Sequence, residues 1–110
     1  MAHSKFIIKK RSTFTMIRQK GRFLKGKNIN MQILLNQDLN SSIGIGYTAT
    51  KKIGKAFKRN KAKRIMRELS KKILINGKIN SYYVLIAKSS LLLTPFEELN
   101  KELESMINEI

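Results

Sequence analysis

The 110-residue chain contains no cysteine and no tryptophan, and it has one proline and one histidine. Without cysteine, neither a disulfide nor a thiolate metal site can form. This absence fits a reducing compartment, so we expect a cytoplasmic protein. The N-terminus lacks the apolar run of a signal peptide. Since no apolar run approaches the length that spans a bilayer, we also expect no membrane partner.

Acidic residues are scarce. The chain has 7 Asp and Glu against 23 Lys and Arg, which gives a formal net charge of +16. Five of the seven acids fall in the last fourteen residues: Glu97, Glu98, Glu102, Glu104 and Glu109. The rest of the chain is therefore almost uniformly positive. Such a balance implies a polyanionic partner, and nucleic acid is the first candidate.

Catalytic side chains are scarce as well. A protein nuclease usually needs clustered carboxylates that hold metal ions, or a histidine general base. The one histidine, His3, lies near the N-terminus, and the one aspartate, Asp38, lies in a polar turn. The chain also has no glycine-rich phosphate loop followed by Lys and Ser or Thr. We expect no catalytic and no metal-ligating residues in this chain.

The most informative stretch is residues 48–69, in which a strand ends, a short turn follows and a basic helix begins. Residues 51–72 hold eleven Lys and Arg but only one acid, Glu68. On a helix, one apolar stripe recurs at three- and four-residue steps: Ala62, Ile65, Met66, Leu69 and Ile73. Four cations lie away from that stripe: Arg59, Lys63, Arg64 and Arg67. The pattern predicts a helix anchored in a core on one side and presenting cations on the other.

The other elements follow from periodicity and turn residues. Residues 1–11 are expected to be a flexible basic arm. A short helix should begin after Ser12 as N-cap and end at Gly21. Strands are predicted at residues 23–24, 29–35, 43–50 and 81–88. The basic helix should run over residues 55–74 and stop near Asn76 and Gly77. A last helix should open with a capping box of Thr94, Pro95 and Glu97.

Two features of these elements have alternative interpretations. Phe14 could pack into the core, or it could stack on a nucleotide base. One face of the strand at residues 43–50 is small and flat, because it consists of Gly44, Gly46, Thr48 and Thr50. This face could admit a ligand close to the backbone, or it could mark an edge strand or a bulge.

Residues 51–68 resemble the signature of the protein subunit of bacterial ribonuclease P. The matching segments are Lys51-Lys52, Gly54-Lys55-Ala56, Arg59-Asn60-Lys61, Lys63-Arg64 and Arg67-Glu68. The short first helix with Phe14, the threonine-rich strand end, the strand at residues 81–88 and the glutamate-rich last helix agree as well. The resemblance covers essentially the whole chain.

This resemblance implies an α+β fold, a small α/β sandwich with a four-stranded sheet in the order αβββαβα and a left-handed βαβ crossover. The chain would form one RNA-binding domain over residues 1–110. It would be the protein component of an RNA-based endonuclease that removes the 5′ leader from precursor tRNA. Its partners would be the ribonuclease P RNA subunit and the leader, not DNA. Magnesium would be the cofactor, bound mainly by the RNA subunit, which would carry out hydrolysis.

The resemblance also implies two groups of site residues. RNA-binding residues of the basic helix and turn would be Lys51, Lys52, Lys55, Arg59, Asn60, Lys61, Lys63, Arg64 and Arg67. A leader-binding cleft would contain Phe14, Arg18, Thr48 and Thr50. Two positions depart from the family pattern. Lys61 stands where arginine is usual, and Arg18 stands where a second aromatic residue is common.

Two rival functions remain compatible with the composition. A structural ribosomal RNA-binding protein of similar fold would also be small and basic. A DNA-binding regulator would need base-reading side chains and usually dimer symmetry, and neither is visible in the sequence. The Arg59-Asn60-Lys61 core within its long matching context favours ribonuclease P.

Overall fold

Strands and helices follow the apolar pattern of the sequence closely in the computed structural model, which describes residues 3–110. The strands are β1 (Lys5–Ile7), β2 (Arg22–Leu24), β3 (Ile29–Leu34), β4 (Ile43–Thr48) and β5 (Ser81–Ala87). The helices are α1 (Arg11–Lys20), α2 (Ala56–Leu69), α3 (Lys71–Asn76) and α4 (Phe96–Asn108). Two short 3-10 helices, Lys51–Ile53 and Ser89–Leu93, precede α2 and α4. Within residues 3–110, no helix is both long enough and apolar enough to cross a membrane.

The strands form one mixed sheet in the order β1-β4-β5-β3-β2. The central strand β5 pairs in parallel with β4 and antiparallel with β3. Because α2 and α3 connect the parallel strands β4 and β5, the structure contains a βαβ connection of the kind that the resemblance implies. The α+β fold class is confirmed.

The sheet has five strands rather than the predicted four, because part of the expected N-terminal arm joins it. The strand β1 pairs in parallel with β4, and the amide of Ile8 donates to the carbonyl oxygen of Ile45 at 2.8 Å. Ile8 is buried, and the Phe6 ring packs edge-on against Tyr82 at a centroid distance of 6.1 Å. Through these contacts, residues 5–8 of the predicted arm lie against the sheet. The first two residues of the predicted arm lie outside the described residues.

The two faces of the sheet are covered unequally. Helices α2, α3 and α4 pack on one face, and the main core contains alternate residues of the central strands, among them Met31, Ile33, Ile43, Ile45, Tyr83 and Leu85. On the other face lies only α1, over a smaller cluster of Ile8, Ile17 and Val84. Part of this second face therefore stays open, which matters for the site described below.

Three helix boundaries differ from the predictions. Helix α1 begins one residue before Ser12, with Lys10 as N-cap. The capping box is absent, because Pro95 is the N-cap of α4 and the Thr94 hydroxyl instead lies 2.8 Å from the carbonyl oxygen of Ser90. The long basic helix is divided at Ser70, whose hydroxyl donates to the carbonyl oxygen of Arg67 at 2.6 Å. Sequence patterns place helices well but do not resolve such side-chain competition for backbone groups.

Candidate nucleic-acid interface

The basic helix α2 has the two-sided character that its sequence predicts. On one side, Ala62, Met66 and Leu69 are fully buried in the main core, which lies between the sheet and the helices. Apart from Arg59, the cations of the helix are exposed: Lys58, Lys61, Lys63, Arg64 and Arg67. Asn60, which lies among them, is exposed as well. Lys55, the N-cap of α2, and both Lys51 and Lys52 in the preceding 3-10 helix are exposed too. The element therefore presents a cationic surface to solvent.

Arg59 differs from the other cations of α2, because it is only half-exposed. Its Nη1 donates to the carbonyl oxygen of Gly54 at 2.8 Å. Gly54 adopts a φ of +134°, a conformation that favours glycine, and it joins the 3-10 helix to α2. Arg59 therefore braces the turn that carries Lys51 and Lys52, and its remaining donors stay available for a ligand.

The cationic surface has almost no counter-charge. Among residues 3–110 the structure contains two ion pairs, Lys71–Glu68 at 3.0 Å and Lys72–Glu104 at 3.4 Å. Neither pair involves a residue of the predicted RNA-binding group. Exposed cations without nearby carboxylates produce a strong positive potential, which attracts a phosphate backbone.

A first hollow borders this surface. It lies at the end of strands β3, β4 and β5 and has a volume of about 670 Å³. Thr50, Lys51 and Lys52 line one side of it, and Asn30 and Lys88 line another. Its floor includes Ile86, which pairs with Thr48 of β4 and Asn30 of β3. The sequence predictions missed Asn30 and Lys88. Strand register could have identified Asn30, since it lies opposite Ile86.

The second hollow lies along α1 and has a volume of about 520 Å³. Phe14 and Arg18 line it together with Lys9, Arg11 and Thr15. The Phe14 ring also covers Gly46, since its Cε1 atom lies 2.6 Å from the position that a Cβ on Gly46 would occupy. Phe14 is half-buried, so its ring packs on the sheet and still reaches the hollow.

The four predicted cleft residues therefore do not share one hollow. Phe14 and Arg18 lie together beside α1, whereas Thr50 lies in the hollow at the strand ends. Thr48 is half-buried on the strand between them. The glycines of β4 let neighbouring side chains approach the sheet, because a Cβ on Gly44 would meet Tyr82 and Phe6 at 2.6 and 2.9 Å.

A hydrogen bond between Tyr47 and Ser70 connects the sheet to the junction of α2 and α3. The Tyr47 hydroxyl lies 2.9 Å from the Ser70 hydroxyl, and Ser70 is fully buried. Burial raises the pKa of Tyr47, while the bond to Ser70 and the charge of Arg67 act in the opposite direction. This contact fixes how the C-terminal end of α2 sits on the sheet.

Carboxylates are not clustered on this interface. In the described part of the chain, no three side chains of His, Asp or Glu lie close enough together to hold a metal ion. The interface offers instead cationic and amide donors, an aromatic ring and two hollows, which are the groups that bind an RNA backbone and unpaired bases.

Together, the sheet, the cationic helix and the two hollows define a small, basic α/β domain of the nucleic-acid-binding class. The family model of ribonuclease P matches residues 3–110. The chain therefore belongs to the ribonuclease P protein family, and the resemblance noted from its basic helix is confirmed.

Individual relatives agree with this assignment. The ribonuclease P protein component of Symbiobacterium thermophilum is 30% identical over 90% of this chain and 85% of that protein. The corresponding protein of Alkaliphilus metalliredigens is 31% identical over 94% of this chain and 91% of its own length. Among solved structures, the ribonuclease P protein from Thermotoga maritima matches with a TM-score of 0.82 at 20% identity, covering 96% of this chain and 97% of that chain. The Staphylococcus aureus protein matches with a TM-score of 0.79 at 24% identity, covering 94% and 93%. These structural matches show the same fold.

Family membership establishes the general role of the chain. It is a protein component of ribonuclease P, a bacterial endoribonuclease complex that processes tRNA and contains an RNA subunit as its partner. This finding favours ribonuclease P over the ribosomal protein and the DNA-binding regulator that composition left open.

Proposed function

We propose that this chain is the non-catalytic subunit of ribonuclease P, and that the RNA subunit hydrolyses the bond between the 5′ leader and the mature tRNA. The observation that carries the proposal is the cationic surface of α2, which has exposed, unpaired cations and no carboxylate cluster within residues 3–110. Such a surface binds phosphates, and without clustered carboxylates it lacks the metal ligands on which protein nucleases commonly depend. We place this activity in the cytoplasm.

In this proposal the cations of α2 and its preceding turn contact RNA phosphates. The contacting residues are Lys51, Lys52, Lys55, Arg59, Asn60, Lys61, Lys63, Arg64 and Arg67. The arginines provide planar, two-pronged donors for phosphate oxygens, whereas Lys61 provides a point charge where the family usually has arginine. The Arg59 contact with Gly54 keeps the turn in the conformation that presents Lys51 and Lys52.

The precursor leader would bind across the open sheet face, from the hollow beside α1 to the hollow at the strand ends. Phe14 would stack on a leader base, since aromatic rings bind single strands with little sequence preference. Arg18 would stack or pair with a phosphate through its guanidinium. Thr48 and Thr50 would line the path between the two hollows, whose remaining cations would contact the leader backbone.

Ribonuclease P is a metal-dependent ribonucleoprotein, and in our proposal magnesium is bound mainly by the RNA subunit. The residues of the cationic surface do not fit a magnesium site, because Mg²⁺ prefers carboxylate and water oxygens. The one acid on α2, Glu68, is paired with Lys71. The protein would act indirectly: by neutralising phosphates it would lower the repulsion between RNA segments and so help metal ions bind to the RNA.

The proposal is tested by cleavage of a 5′-extended precursor tRNA by a bacterial ribonuclease P RNA at low magnesium, with and without this protein. We expect strong stimulation at the mature 5′ end and a weaker effect on a precursor with a trimmed leader. The protein alone, with magnesium, should cleave nothing. Cleavage that follows the protein through purification would refute the assignment of catalysis to RNA, and stimulation that does not depend on leader length would refute the leader contact.

A further inference from the structure

Helix α4 carries the acidic residues of the chain, but one of them, Glu102, does not point to solvent. Its Oε2 accepts hydrogen bonds from the backbone amides of Asn28 at 2.9 Å and Ile29 at 3.0 Å. Its Oε1 accepts one from the Asn28 side-chain amide at 2.8 Å. A carboxylate that accepts several N–H donors forms stronger hydrogen bonds than a neutral acceptor does. Glu102 thus ties α4 to the turn between β2 and β3.

This turn, residues 25–28, is held from other sides too. Asn28 is buried, with 4% of its surface exposed, and its Oδ1 accepts from the Thr94 hydroxyl at 3.0 Å. The Gly26 amide donates to Asn30 Oδ1 at 3.1 Å, and the Gly26 carbonyl oxygen accepts from Lys88 Nζ at 3.0 Å. The turn is therefore fixed by polar contacts rather than by apolar packing.

What this fixed turn presents outward is positive charge. Lys25 and Lys27 are exposed, and neither takes part in the two ion pairs of the described residues. Lys88 and Asn30, which bind the turn, also line the 670 Å³ hollow opposite Lys51 and Lys52. The turn thus continues the cationic surface beyond the hollow, on the side away from α2.

We propose that residues 25–28 form a further RNA-binding site, in which Lys25 and Lys27 contact backbone phosphates and Glu102 is the positioning residue that holds the turn. This inference rests on the proposed function, because it extends the same RNA interface. The ligand is an RNA phosphate backbone. It comes from the precursor leader or from the RNA subunit, and the two sources are separated by the test.

The lysine half of the proposal is tested with the variant K25A/K27A in the reconstituted complex. Its control, K78A/K101A, removes the same charge from exposed lysines elsewhere. Two lost phosphate contacts should lower the slope of log affinity against log salt by about 1.4 for a single-stranded ligand. The ratio of the unmodified protein's affinity to that of the variant should therefore fall about sevenfold between roughly 50 and 200 mM salt. Equal behaviour of the two double variants would overturn the proposal.

Glu102 is tested with E102Q against E98Q, because both changes raise the net charge by one on the same helix. General electrostatics predicts that either variant binds RNA slightly more tightly. A glutamine at position 102 would turn an N–H donor toward the donors of Asn28 and Ile29, so we expect E102Q alone to bind more weakly. In the K25A/K27A background, E102Q should cause no further loss of RNA affinity. Glu102 acts through these two lysines, and the effects of coupled residues are not additive. Full additivity, or binding equal to that of E98Q, would contradict the positioning role.

If E102Q does not fold, Thr94→Val loosens the same network more mildly and carries the same expectation, since it removes the hydroxyl contact with Asn28.

Binding is measured to the RNA subunit alone, to precursor tRNA with its leader and to precursor without it. A K25A/K27A loss confined to one of these ligands identifies the source of the phosphate. Arg64→Ala serves as the reference: if it also has no effect, the proposed function fails rather than this extension of it.

Discussion

Arg59 and Arg64 are neighbours on one helix but have different surroundings. Arg59 is half-exposed and donates to the carbonyl oxygen of Gly54, whereas Arg64 is exposed and forms neither ion pair of the described residues. An arginine therefore holds a backbone turn at one position, whereas at the other it is free for the RNA contact that we propose. Mutations of the two arginines separate these contributions.

Arg59→Ala should lower the free energy of unfolding by about 1 kcal/mol, because the Gly54 carbonyl loses its hydrogen-bond donor. Arg64→Ala should change it by less than about 0.5 kcal/mol, as is usual for an exposed surface position. Both variants should bind RNA more weakly than the unmodified protein. Urea unfolding together with RNA titration checks the pair. Equal stability of the two variants would mean that the Arg59–Gly54 contact contributes nothing to folding.

Tyr47 should make stability dependent on pH in the alkaline range. Its pKa in the folded protein is raised above the ordinary value of 10.0, mainly by burial. Below that value the phenol is protonated in both states and its contribution to stability is complete. As the pH rises through the folded pKa, the unfolded chain ionises first and this contribution is lost.

The measurement is urea unfolding of the unmodified protein and Tyr47→Phe between about pH 8 and pH 11. Near pH 8 the variant should be less stable by about 1 kcal/mol, because it loses the bond to Ser70. Above pH 10 this difference should shrink. All other side chains are common to both proteins, so their contributions largely cancel in the comparison. A difference that stays constant up to pH 11 would show that the Tyr47 environment does not oppose ionisation.

At the scale of elements, α2 and α4 are opposite in charge and pack within the same layer. We expect K61Q/K63Q on α2 to weaken RNA binding and to lower its salt slope by about 1.4 for a single-stranded ligand. The pair E97Q/E98Q on α4 removes two charges of the other sign from exposed positions and should leave the slope unchanged. Affinity measured over a salt series compares the two. A similar change in slope for both would place RNA contacts on α4.

The elements also show how far the sequence predicts this fold. Regular apolar periodicity located β3, β4, β5, α2 and α4 to within a few residues, since burial on one face leaves a repeated pattern. It missed β1, because a strand of three residues carries too little pattern. The periodicity also gives no sign that Glu102 reaches Asn28, a contact between residues 74 positions apart. Contacts over such a separation depend on tertiary packing, which local patterns do not contain.

Some residues of the candidate site could likewise be predicted from the sequence, and others could not. The cations of α2 could be predicted, because a helix with an apolar stripe must expose its other positions. The separation of Phe14 and Arg18 from Thr50 into two hollows could not be predicted, since it depends on where α1 and the Phe14 ring lie on the sheet. Lys88 was missed for a related reason: its position opposite Lys51 and Lys52 follows from the order of strands in the sheet.

For the whole molecule, the net charge of +16 has opposite consequences for folding and for binding. The free protein is destabilised by repulsion among exposed cations, which salt screens. We expect the melting temperature of the free protein to rise between about 0.05 and 0.5 M KCl, over the same range in which its affinity for RNA falls steeply. Thermal melts and RNA titrations in one salt series check both trends. A melting temperature that is flat or falls with salt would show that self-repulsion is unimportant.

The central place of β5 in the sheet constrains how the chain can fold during its synthesis. The strands β3 and β4 are made first, but each pairs with β5 and the sheet order keeps them apart. The sheet therefore cannot close until residue 87 has left the ribosome. Until then only the β1–β4 and β2–β3 pairs can form, and the strongly basic nascent chain emerges beside ribosomal RNA. Because closure depends on such distant pairings, it is intrinsically slow, and the basic segments made before β5 stay outside a closed sheet while synthesis continues.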